Sequence, residues 1–101
     1  MDPIGRMMAT SETYRLLARQ VLAAARDVAG GRVVATHEGG YSNAYVPFCG
    51  LAVIEEFAGR RTPAADPYLE EFMEMAGHEL LPHQAAVIDQ AAALAALTPK
   101  P

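Results

Sequence analysis

Hydrophobic residues recur at helical spacing soon after the N-terminus. Tyr14, Leu17, Ala18, Val21, Ala25 and Val28 fall on one face, with Arg15, Arg19, Arg26 and Asp27 set to point outward. Thr10 and Ser11 offer a cap for this first predicted helix, and Glu12 sits in the first turn, where the helix dipole favours negative charge. Gly30-Gly31 ends it. The pattern then changes. Val33-Val34-Ala35, within Arg32 to Thr36, is a short β-branched run without alternation, as expected of a strand buried on both faces.

Periodicity resumes after a break at His37-Glu38-Gly39-Gly40-Tyr41-Ser42. A second helix is predicted from near Val46, with Pro47 in its first turn. Its stripe is Val46, Cys49, Val53 and Phe57, widened by Phe48, Leu51 and Ala52, so burial most of the way round is expected, with Gly59 as the stop. Arg60 to Ala65 reads as a loop. A short third helix opens at Asp66-Pro67 and carries Tyr68, Leu69, Phe72, Met73 and Met75 before Gly77. A fourth runs from near Pro82 through Val87, Ile88, Ala91, Leu94 and Ala95 toward Pro99, and Thr98 to Pro101 reads as a frayed tail. One strand among four helices has no hydrogen-bonding partner, so the sheet it belongs to is expected to lie on other sequence.

Composition narrows the function. The 101 residues are 51% hydrophobic and 20% charged, the profile of a globular chain, and the net charge of −4 argues against a general nucleic-acid binder. The apolar runs are too short to span a bilayer, and Met1 to Arg6 lacks the order of a secretory signal. One cysteine, Cys49, excludes an internal disulfide; it reads as a small core residue, and a cytoplasmic setting is expected.

The chemistry concentrates between the predicted strand and the second helix. In open α/β sheets, ligands bind where the chain leaves a strand's carboxyl end. Gly39 and Gly40 permit positive φ and close approach there, Tyr41 hangs a phenol at the mouth, and Ser42-Asn43 can cap the next helix. Read from spacing alone, the same residues also make an ordinary tight turn with a packed tyrosine. The histidines add little: His37 suits a polar residue at the strand's end, and His78 and His83 suit a turn and a cap. Gly39-Gly40 fits neither phosphate-loop spacing, leaving that reading weak.

The order Asp2-Pro3-Ile4-Gly5, Thr10-Ser11-Glu12, a helix, Gly30-Gly31-Arg32, a strand and Glu38-Gly39-Gly40-Tyr41 resembles the C-terminal part of the histone deacetylase family, which includes the acetylpolyamine amidohydrolases. The glutamate before the glycine pair is similar to the class II branch. The resemblance covers about the first sixty residues. It implies an α/β fold, the C-terminal portion of a three-layer parallel-sheet arginase/deacetylase-like domain, mostly helical here with one clear strand at about 32–36. The chain would then be a single partial domain, 1–59 forming the active-site segment and 60–101 a helical extension.

The resemblance further implies that Asp2 is the last of three zinc ligands and Tyr41 the catalytic tyrosine, on an active-site loop of Glu38, Gly39 and Gly40. The complete enzyme would use zinc to hydrolyse the acetyl amide of an acetylated lysine or polyamine, with no nucleic acid or membrane partner and an open oligomeric state. The family's His-His pair and Asp-x-His segment do not occur in these 101 residues, so the isolated chain is expected to be inactive. A small non-catalytic helical interaction module is the alternative.

Overall fold

A computed structural model describes residues 2–77 and 79–97. Four helices follow in order: α1 (Ser11–Val28), α2 (Val46–Ala58), α3 (Leu69–Glu74) and α4 (Pro82–Ala95). The predicted helices are all present. α1 begins where its cap chemistry places it: the Thr10 hydroxyl accepts from the Thr13 amide, and the Thr13 hydroxyl accepts from the Thr10 amide. It ends on Gly31 N–H donating to the Ala25 carbonyl at 2.9 Å, with Gly30 and Gly31 at φ +59° and +76°. In α2, Pro47 lies in the first turn and Gly59 closes the helix in the left-handed region.

The strand expected at 32–36 does not form. Among the described residues there is no strand, and Val33 to Gly40 runs as coil. A strand exists only as one side of a hydrogen-bonded ladder, and no second extended segment lies alongside to complete one. Val34, expected to be buried on a sheet, is 92% exposed.

The same absence redistributes burial on the helices. Among the described residues, only α1 and α2 pack extensively on each other. They meet through a row of small residues, with Ala18, Ala25 and Ala52 buried. The larger stripe expected to form the core, Tyr14, Leu17, Val21 and Val28, stays exposed, and Arg15, expected to face solvent, is buried. α2 likewise is not buried most of the way round: only Ala52 and Glu55 are, while Ile54 and Phe57 are exposed. The radius of gyration, 15.8 Å, exceeds the roughly 13 Å of a compact 100-residue domain.

The boundaries of α3 shift, whereas α4 starts at Pro82 as expected and ends at Ala95. Asp66 does not cap α3 directly; Tyr68 is its cap residue, and Asp66 Oδ1 accepts the Tyr68 amide at 2.9 Å one step earlier. The chain leaves α3 at Met75, before Gly77. α4 starts at Pro82, where Gln84 Oε1 accepts the Leu81 amide at 2.8 Å, and none of its residues is buried. Thr98 to Pro101 and His78 lie outside the described residues.

Candidate active site

The N-terminal turn is organised by one carboxylate. Asp2 Oδ1 accepts the amides of Ile4 (3.0 Å) and Gly5, an Asx-type turn made possible by the short side chain beside Pro3. Its other oxygen, Oδ2, accepts the backbone N–H of Tyr41 at 2.8 Å. The Tyr41 amide foremost, then those of Gly5 and Ile4, holds the Asp2 carboxyl below its usual range, because each N–H favours the ionised form. Two segments 39 residues apart in sequence therefore meet at this side chain.

The loop arriving there needs its glycines. Gly39 and Gly40 lie at φ +73° and +85°, a region that L side chains rarely adopt. A Cβ at Gly40 would also fall 2.9 Å from Val46 Cγ2 and 3.3 Å from His37 Nε2. Gly40 is thus wedged between the first residue of α2 and the imidazole. Tyr41 is exposed, its ring turned back beside Gly39, and its hydroxyl has no hydrogen-bond partner among the described residues.

Two hollows flank the loop. One, of about 450 Å³, lies between residues 35–40 and the Val46, Cys49, Gly50, Val53 face of α2. A niche of about 50 Å³ joins Asp2, Gly40, Tyr45 and Cys49. Tyr41 lines neither of them. Cys49 is a free, half-buried thiol whose pKa burial pushes up, which keeps it protonated.

Asp2 and the Glu38–Tyr41 loop are therefore brought together, and the other candidates are not. His37 lies over Gly40 and His83 on exposed α4, while His78 falls outside the described residues. Among the described residues, no three His, Cys, Asp or Glu side chains come together as a metal site would need. An ionised carboxylate is a donor type that zinc accepts, but catalytic zinc takes three protein ligands, and the described residues bring no such set together.

Sequence reasoning missed the side chains that hold the loop in place. Tyr45, four residues after Tyr41, is buried; its hydroxyl accepts the Ser11 amide at 3.1 Å, and its ring meets Phe72 edge-on at 4.7 Å between centroids. Burial pushes its phenol pKa up. The Ser11 hydroxyl donates to Asp66 Oδ2. Below this, Arg15 donates to Glu55 Oε2 (2.8 Å) and to Glu12 Oε1 (2.9 Å), joining α1 to α2. Glu55 Oε1 also accepts the Thr62 amide (2.7 Å) and hydroxyl (2.6 Å), and these bonds, with Arg15, hold its pKa down to about 2. The available signal was the small-residue row Ser11, Ala18 and Ala25, which marks close helix approach and carries Arg15 with it.

The backbone of Tyr41, on its glycine turn, is thus tied to an aspartate in an Asp-Pro turn. No family model matches the chain. The chain is, however, 53% identical over 75 residues, 74% of its own length, to the histone deacetylase-like amidohydrolase of Pseudomonas aeruginosa. Over that stretch it is similar to a protein named as histone deacetylase-like. The match spans 20% of that relative's length. Among the described residues no helix is long and apolar enough to cross a membrane.

Proposed function

We propose that this chain is the active-site segment, with a C-terminal helical extension, of a zinc-dependent deacetylase whose complete domain has the α/β arginase/deacetylase fold. The reaction is hydrolysis of an N-acetyl amide, on an acetylated lysine or polyamine, to acetate and a free amine. Residues 1–59 carry the chemistry, and 60–101 form the helical extension.

The observation that supports this reading best is the 2.8 Å bond from the Tyr41 amide to Asp2 Oδ2, which sets the two family-matched residues side by side. In this reading Tyr41 donates its unengaged phenolic O–H to the oxygen that becomes negative as the acyl carbon turns tetrahedral. Positive φ at Gly39 and Gly40 turns the backbone so that the exposed Tyr41 ring lies back beside Gly39. Asp2, kept ionised by three amides, holds zinc as one ligand, the remaining donors coming from outside the described residues. When bound, the metal supplies polarisation of the acyl oxygen and a more acidic water. The exposed apolar faces of α1 and of 33–36 fit a segment that packs on a larger sheet.

The test is to graft this chain in place of the matching 75-residue stretch of the Pseudomonas aeruginosa relative and assay acetyl-lysine and acetylpolyamine substrates. The graft is expected to release acetate, and Tyr41→Phe to cut the rate about 10²–10³-fold with zinc retained. Undiminished turnover with that substitution removes Tyr41 from the reaction.

A further inference from the structure

We propose that Tyr45 is the positioning residue for Tyr41, acting through the backbone N–H of Ser11; this rests on Tyr41 being the residue that does the chemistry. The turn between the two tyrosines is tight, because the amides of Tyr45 (3.0 Å) and Val46 (2.9 Å) both donate to the Ser42 carbonyl. Tyr45, 3% exposed, is the one buried side chain in that turn. Its ring is locked edge-on against Phe72 and Tyr68, and its hydroxyl accepts the first amide of α1.

That amide is one of the donors a helix start leaves without an internal partner. Tyr45 satisfies it with an oxygen from another segment, so the start of α1 fixes where the Ser42–Val46 turn sits. Val46, the next residue, presses on Gly40, and Gly40 leads directly into Tyr41. At the opposite end Asp2 takes the Tyr41 amide. The first eleven residues therefore grip the loop twice, at Tyr41 N–H and at Tyr45 Oη. The route from the second grip to Tyr41 runs through Val46, packed against the Gly40 backbone.

The test uses amide hydrogen exchange by NMR on the full 101-residue chain. Tyr45→Phe keeps the ring and removes the acceptor. Ser11→Pro removes the donor at the first helical position, where proline is favoured, after a Thr10 whose ψ of 171° suits a residue preceding proline. Ser11→Ala keeps the amide and removes the hydroxyl, with its bond to Asp66 and its side-chain contact with the Tyr45 hydroxyl. Exchange at the Tyr41 amide is expected to speed up about three- to tenfold with Tyr45→Phe and Ser11→Pro, and to stay unchanged with Ser11→Ala. In the graft, the first two variants are expected to lower kcat about 10- to 100-fold with KM held. Should Tyr45→Phe unfold the chain, Ser11→Pro reads the same bond. Unchanged Tyr41 exchange in a folded variant overturns the positioning role. Accelerated exchange with a graft indifferent to Tyr41→Phe overturns the deacetylase reading instead.

Discussion

Asp2 and Tyr41 are joined by one hydrogen bond, from the Tyr41 amide to Asp2 Oδ2 at 2.8 Å, across 39 positions of sequence. The bond depends on the backbone at Gly40, where φ is +85° and a Cβ would meet Val46 at 2.9 Å. Gly40→Ala is therefore expected to lose about 1–3 kcal/mol of stability from the strained φ, with a further loss from the clash. Gly31→Ala is the control: its φ is +76°, but a Cβ there meets nothing within 4 Å. Urea denaturation should find Gly40→Ala the more damaging of the two. Equal losses would mean that Val46 yields freely.

Arg15 and Glu55 form the buried pair that fastens α1 to α2. Arg15→Met alone leaves Glu55 with Thr62 but no cation, and an uncompensated buried charge is more costly than none. The Arg15→Met, Glu55→Met double variant is therefore expected to be more stable than the single one. Thermal melts of both, completed as a double-mutant cycle, check this. The opposite order would show that Glu55 is solvated well enough to stand without Arg15.

The helices were legible because caps, glycine stops and first-turn prolines act locally. Thr10, Gly30-Gly31, Pro47 and Gly59 each do in the structure what their chemistry dictates. Burial was not legible, because it depends on what lies opposite. The pattern gave the large stripe of Tyr14, Leu17 and Val21 as the core face, whereas α2 packs on the small-residue row beside it. The expected core face of α1 is therefore wrong for this structure, since its large side chains stay exposed. Val33-Val34-Ala35 has the composition of a buried strand, yet among the described residues it has no ladder to join and Val34 is exposed. Within the site, the Glu38–Tyr41 loop was visible from its glycines. Tyr45 was not, since a lone tyrosine just ahead of the second helix carries no periodic signal.

Acid should weaken the α1–α2 junction within a definite window. The bonds from Thr62, and then Arg15, depress the Glu55 pKa from 4.5 to about 2. A depressed carboxyl pKa contributes stability that is fully present above the unfolded value and lost as the pH falls toward the folded one. Asp2 and Glu56 are shifted in the same direction, Asp2 by the Tyr41 amide and Glu56 by Arg19. The melting temperature is therefore expected to be flat above about pH 5.5 and to fall between 4.5 and about 2. Glu55→Gln should flatten part of that fall. An unaltered acid limb in that variant would place the titrating group elsewhere.

α4 is the element with the least hold on the rest. It has no buried residue, and Val87, Ile88 and Leu94 are each more than half exposed. A helix of 14 residues is marginal in water unless packing supports it. Its alanines favour helix but bury little against α1 or α2. Ending the chain after Gly77 is therefore expected to move the α1–α2 melting transition by no more than about 2–4 °C, the scale of surface changes. Helical signal should fall by α4's share even at low temperature, because among the described residues α4 buries no side chain. Circular dichroism of the shortened and full chains separates the outcomes. A large drop in the transition would show that α4 docks on the exposed stripe of α1 in solution, and that this stripe has a partner within the chain.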